Sequence, residues 1–336
     1  MTTHITRLRR AGAALLVAGA LVATVAGCAG NSASASTTDK KGEVTVGAHS
    51  NGAAKQVTLD VPEVAKIRAE LPASVRKSGE LTIGIGALPA GFPPLAYLGD
   101  DQKTLTGAEP DLGRLVAAVF GLKPVVTNAT WDNLFVGIDT GKTDIGFSNI
   151  TDTEQRKQKY DFASYRDDNL ALQVLKKNDW KWTGPESLAG KTIAVSAGTN
   201  QEKILLAWQK QLQGEGKDFT IKYFQDANAT YLALDSGKID IDFTPNPSAA
   251  YQNTQSAKSA NPTRTEATYS GAGASLQGLI AATSKKGSGL AQPTVDAINY
   301  LIENGQYAKW LAAYNLTNEG VKKSELNPPG LPITNQ

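Results

Sequence analysis

The chain has 336 residues, with 34 basic against 32 acidic side chains and 41% hydrophobic residues. That size suits one large or two medium domains with a substantial core, and a near-neutral chain without a long basic run excludes nucleic-acid binding. One cysteine (Cys28) and two histidines (His4, His49) all lie in the first fifty positions. The remainder of the chain cannot supply a Ser-His-Asp or Cys-His nucleophile pair or a zinc site with N or S ligands. Any catalysis would have to use carboxylates, Lys, Tyr, Ser or Thr, and no catalytic residue or metal is assigned.

Taken in order, the chain opens with Arg7, Arg9 and Arg10 and then runs apolar from Ala11 to Ala26. The run is shorter than the ~20 residues that span a bilayer. It ends in Val25-Ala26-Gly27-Cys28, a charged n-region, a short apolar core and a small-residue cleavage site. The motif resembles a bacterial lipobox. It implies a signal peptide over 1–27, lipidation of Cys28, and a protein anchored outside the cell membrane. Residues 28–58 are rich in Ser, Ala, Thr, Gly and Asn and are expected to form a flexible tether, with His49 inside it.

A helical extension is expected over 59–77, between Pro62 and Pro72. Glu80–Ile85 reads as a strand leading into a Gly/Pro loop. Next come a helix from Pro110 to Phe120, a strand at Pro124–Thr127, a helix from Trp131 to Gly141 and a strand at Asp144–Phe147. Thr153–Lys159 reads as a further helix. The pattern then restarts: strand Lys191–Val195, helix Gln201–Gln213, strand Phe219–Phe224, helix Ala229–Ser236, strand Ile239–Phe243. Leu279–Ala282 and Pro293–Leu316 add a strand and two helices. Strand-helix alternation points to an α/β fold with largely parallel sheets. Asp-Thr-Gly-Lys-Thr-Asp-Ile-Gly-Phe (139–147) and Asp-Ser-Gly-Lys-Ile-Asp-Ile-Asp-Phe (235–243) are alike, each a helix end, a Gly cap and a buried strand. Two similar lobes are expected.

Several stretches together carry a family resemblance. They are Gly79–Ile85, Phe92-Pro93-Pro94, Gly107 to Leu112, Trp131-Asp132, Asp144 through Ser148, Thr151 to Arg156, Asp161-Phe162, Leu188 to Val195, Gly198 to Glu202, and Leu301–Trp310. The chain resembles the bacterial extracellular solute-binding proteins, family 3, the polar amino-acid receptors of ABC importers. The resemblance implies a two-lobed periplasmic-binding-protein-like fold (type II) with two crossover hinge strands. Lobe one would take 75–174 plus 278–327, lobe two 178–272, and 328–336 would be a C-terminal tail. It also implies capture of a small amino acid or related carboxylate between the lobes and delivery to an ABC permease, by a monomer without cofactor.

Arg156 comes after Ser148, Asn149 and Thr151, and a guanidinium beside hydroxyls, an amide and a helix N-terminus suits a carboxylate. Family positions imply that it clamps the ligand's carboxylate. Thr199 and Asn200 stand at a strand-to-helix junction, able to cap the helix and to face the same anion. Phe92 lies in a loop at a strand's carboxyl end, where open α/β sheets bind ligands. Family positions make Phe92 and Trp131 cleft walls.

One departure concerns the ligand's amino group. Family members that bind α-amino acids carry an Asp two residues after the closing apolar residue of the lobe-two strand. Here the stretch is Phe243-Thr244-Pro245-Asn246-Pro247, and Asn246 offers only a neutral carbonyl. Asp242 is expected to point away, since strand side chains alternate. An unpaired buried ammonium is costly, so weak binding of plain α-amino acids is expected, with delocalised or alkylated cations favoured unless Asp242 or Glu202 turns in. Ala87 and Leu88 stand where receptors of cationic ligands carry an acid. A dehydratase-like enzyme on the same scaffold and a sensor for a membrane kinase are the alternatives.

Overall fold

The computed structural model describes residues 42–333. The signal segment, Cys28 and the first part of the expected tether lie outside the described residues. From Gly42 the chain is folded. Strands β1 (Glu43–Val46) and β2 (Val57–Asp60) pair as an antiparallel hairpin. Alternate residues Val44, Val46 and Leu59 are buried, a period-two pattern that the small polar residues around it conceal. Gly47 N–H donates to Asp111 at 2.7 Å, and Lys55 N–H to the Ala313 carbonyl at 2.8 Å. The tether therefore stops short of residue 58. His49 is also a residue of the folded part, against expectation, with Nδ1 3.0 Å from Asp100.

The expected helix over 59–77 is two short ones, α1 (Ala65–Glu70) and α2 (Ala73–Ser78). Pro72 separates them because it has no N–H to continue the first. Then come β3 (Glu80–Ile85), the two-residue strands β4 (Tyr97–Leu98) and β5 (Leu105–Thr106), α3 (Ala108–Val119), β6 (Lys123–Asn128), α4 (Trp131–Thr140) and β7 (Ile145–Gly146). Only a 3-10 turn, Arg156–Gln158, forms where a helix was expected at 153–159. It gives way to β8 (Tyr160–Leu175), a 16-residue strand. The second half has β9 (Thr192–Val195), α5 (Asn200–Gly214), β10 (Thr220–Tyr223), α6 (Ala227–Asp235), β11 (Ile241–Pro245), α7 (Asn246–Ser256) and β12 (Thr263–Ser270). Strand β13 (Gly278–Lys285) and helices α8 (Ala291–Glu303) and α9 (Gln306–Ala313) return to the first half.

One continuous sheet path runs β10-β9-β11-β8-β13-β7-β3-β6, with β12 also paired to β8. Strand β8 belongs to both lobes. Tyr160 to Asp168 pair with β13, and Asn169 to Leu175 pair with β12. The crossing therefore lies at Asp168/Asn169, a few residues before the expected boundary at 174. The return crossing is the link from Ser270 to Gly278. Lobe one packs Ile83, Leu112, Phe147, Tyr165 and Trp310 in its core, and lobe two packs Leu172, Ile193, Leu205, Trp208 and Phe243. After α9 the chain recrosses the hinge. Leu331 bridges Thr153 yet is buried in the lobe-two core, and Lys203 Nζ donates to the Pro332 carbonyl at 2.8 Å. Residues 331 and 332 of the expected tail are thus docked against both lobes.

Candidate functional site

The parallel strands β3 and β7 of lobe one and β9 and β11 of lobe two end toward each other. The loops at their carboxyl ends enclose a cavity of about 150 Å³. That is small beside the roughly 300–1,000 Å³ of drug-sized ligand sites, and it limits the occupant to a small molecule.

On the lobe-one side, the loop after β3 is held by backbone N–H groups. Gly86 donates to Ser148 Oγ at 2.9 Å and Ala87 to Asn128 Oδ1 at 3.0 Å. Ser148, Ala87, Leu88 and Phe92 line the cavity as a result. Asn149 lines it too, in a left-handed conformation (φ 53°). Its N–H donates to Glu109 at 2.9 Å and its Oδ1 accepts from Arg166. Arg166 is itself clasped by Glu109 and Glu319, all three buried. Asn149 is therefore aimed by a buried charge network.

On the lobe-two side, α5 starts with a capping arrangement. Thr199 Oγ1 accepts from Glu202 N–H at 3.2 Å, and Glu202 accepts from Gly198 N–H at 2.7 Å. Thr199 and Asn200 thereby bring a helix N-terminus to the cavity wall, a position that favours anions. Asn200 also donates to Asp168 on the hinge at 3.1 Å, and Thr151 of lobe one donates to the same oxygen at 2.7 Å. Burial holds the Asp168 carboxyl up, at about 6.

Trp131 separates this cavity from a second one of about 540 Å³, and lines both, as do Thr199 and Asn200. Its indole stands edge-on to Phe135 at 5.1 Å, and Nε1 donates to the Gly198 carbonyl at 3.2 Å. Arg156 lies behind it, in the second cavity. Its guanidinium stacks 5.3 Å from the Trp131 ring and donates to the carbonyls of Thr151 at 2.9 Å and Gly198 at 3.1 Å. Burial lowers its pKa to about 10.

The residues singled out in the sequence thus divide. Phe92, Trp131, Ser148, Asn149, Thr199 and Asn200 line the smaller cavity. Arg156 faces the neighbouring one, Thr151 is bonded to Asp168, and Asn246 donates to Glu319 at 3.1 Å. Asp242, expected to point away, lines the smaller cavity and is the one charged side chain among the described residues that do. It is on the α6 side of β11, the same face as Ala194 and Gln173 across the ladders. On that face it meets the cavity together with Thr230 and Tyr231 of α6. Burial raises its carboxyl to about 7. The expectation that it points away is therefore corrected: alternation places it on the α6 face, and that face is open to the cavity.

A family model described as bacterial extracellular solute-binding proteins, family 3, matches residues 83–317. The L-cystine-binding protein TcyJ of Escherichia coli (strain K12) is 30% identical over 167 residues, 49% of this chain and 59% of that protein. The arginine-binding protein ArgT of Corynebacterium glutamicum is 30% identical over 195 residues, 57% of this chain and 62% of that protein. The chain thus spans about three-fifths of the length of the curated relatives it matches. Among solved structures, a mutant of ArgBP from T. maritima superposes with a TM-score of 0.60 at 22% identity, covering 72% of this chain and 97% of that one. A putative L-cystine ABC transporter protein from Listeria monocytogenes gives 0.60 at 23% identity, covering 73% and 99%. These neighbours share the two-lobed fold.

Proposed function

The chain belongs to the bacterial extracellular solute-binding proteins, family 3, and from that membership we propose that it is the substrate-binding component of an ABC importer, holding a small amino-acid-like solute between its lobes. The observation that carries this reading is the cavity itself. It takes walls from both lobes at the carboxyl ends of their strands, where open α/β sheets hold ligands. A solute there touches both lobes at once, so it binds the closed form more strongly and shifts the population toward it.

The TcyJ and ArgT relatives are binding proteins for cystine and arginine, which favours a solute of the same broad class. The lipobox-like sequence before Cys28 favours a lipid anchor on the outer face of the cell membrane, from which the protein presents its cargo to a permease. No helix among the described residues is long and apolar enough to cross a membrane. The relatives TcyJ and ArgT are named as binding proteins, which favours binding over catalysis as the role.

Thermal melting and intrinsic tryptophan emission of the full chain against amino acids, their amides and opine- and ectoine-like compounds test the proposal. Binding of at least one, with a raised melting temperature, is expected. No response to any member would defeat it.

A further inference from the structure

The smaller cavity contains an imbalance that solute binding in general does not explain. It holds a carboxylate and no cation among its described lining residues. Asp242 is 5% exposed, and no hydrogen bond or ion pair from a described residue reaches its side chain. Its neighbours offer little help. Gln173, its partner across the antiparallel ladder, directs Nε2 at Ala249, Asn253 and Thr263, and its Oε1 has no donor. Tyr231 on α6 is the titratable neighbour. Its hydroxyl is held in the protonated form, first by burial and then by the Asp242 charge. On the opposite wall stand Ala87, Leu88 and Phe92. Gln173 does not line the cavity, so Asp242 alone faces it, and a carboxylate in so enclosed a site is costly unless something supplies N–H groups.

Building on the solute-binding reading, we propose that Asp242 is the counter-ion for an N–H-bearing organic cation on the solute, an ammonium or guanidinium group. The position three residues further on is Pro245, which has no acid and no N–H, so the cationic group is read from the α6 face of β11. An ammonium or guanidinium brings two or more donors to the carboxylate in a desolvated site, where charge-assisted bonds are strongest. A quaternary ammonium brings none and leaves the acceptor unfilled.

Calorimetry on the full chain tests this with L-arginine, L-lysine, L-glutamine, L-cystine and agmatine, the N-acetyl derivatives of the four amino acids, and glycine betaine. The expected result is binding of at least one N–H cation, with its N-acetyl partner or glycine betaine weaker. Asp242→Asn should lower the affinity for that cation at least about 50-fold. Titration of the unaltered protein near pH 6.5, in two buffers of different ionisation heat, should show net proton release on binding. Where the variant does not fold, the affinity ranking of the N–H cations against glycine betaine on the unaltered protein decides the matter. An Asp242→Asn affinity within threefold of the parent, proton uptake on binding, or a best ligand lacking an N–H cation overturns the Asp242 assignment while solute binding stands. Binding of nothing in the panel overturns both.

Discussion

Arg156 of lobe one donates to the main-chain carbonyl of Gly198 in lobe two, at 3.1 Å. The same carbonyl accepts from Trp131 Nε1. Two lobe-one side chains therefore converge on the residue before the Thr199 cap of α5, and closure is fastened at a turn rather than across the cavity.

Arg156→Ala should weaken solute binding without unfolding the protein. The side chain is only partly buried, and its loss removes two charge-assisted bonds to carbonyls, each worth about 1.5–3 kcal/mol. A rise in Kd of at least about tenfold is expected, with a lower melting temperature but a still cooperative transition. Arg156→Lys should recover part of it. Unchanged affinity in calorimetry would show that neither the latch nor a carboxylate clamp resides here.

Trp131→Phe keeps an aromatic wall and deletes the indole donor. One neutral hydrogen bond is worth about 1 kcal/mol, so affinity should fall roughly fivefold. Trp180, Trp182 and Trp208 sit together in lobe two, and Trp310 lies in the lobe-one core. The solute-induced change in tryptophan emission should therefore vanish in the variant. Its persistence would place the reporter elsewhere.

Asp242→Asn should make the unliganded protein more stable at alkaline pH. The folded-state pKa is about 7 against an ordinary 3.8. Below pH 4 both states hold the proton. Between about pH 4 and 7 the folded state keeps a proton that the unfolded chain has lost, so stability falls as pH rises, then levels off. The variant lacks that fall. Urea unfolding should find it level with the parent near pH 4 and about 4 kcal/mol more stable at pH 8. Equal stability at both pH values would mean that the carboxylate is solvated.

Arg166→Ala should cost at least about 3 kcal/mol, because it leaves Glu109 and Glu319 buried without their shared cation. It should also loosen Asn149, whose Oδ1 accepts from Arg166. Urea denaturation measures the first effect. A loss under 1 kcal/mol would show that solvent reaches the network.

Much of this was legible in the sequence, for identifiable reasons. Gly141 closes α4 in the left-handed region, and the apolar stretches before and after it run as regular elements. Strand β8 was hidden because Arg166 and Asp168 interrupt its apolar pattern, and both are buried through partners far away in sequence. The hairpin was hidden because its few valines are flanked by small polar residues. Helix α7 begins Asn-Pro-Ser and carries little apolar periodicity, so only its packing against β11 and β12 defines it. The candidate cleft residues were named from position and chemistry. What position does not convey is which side of Trp131 a long side chain such as Arg156 takes.

The hairpin at the start of the described residues bears on how this protein would work at a membrane. It is fastened to lobe one, where Gly47 N–H donates to Asp111. With Cys28 lipidated as proposed, a pull from the membrane would reach lobe one first. Lobe one would then be the anchored half and lobe two the half that swings. Anchoring concentrates the cargo near any permease in the same membrane, so that capture and hand-over become encounters in two dimensions rather than three.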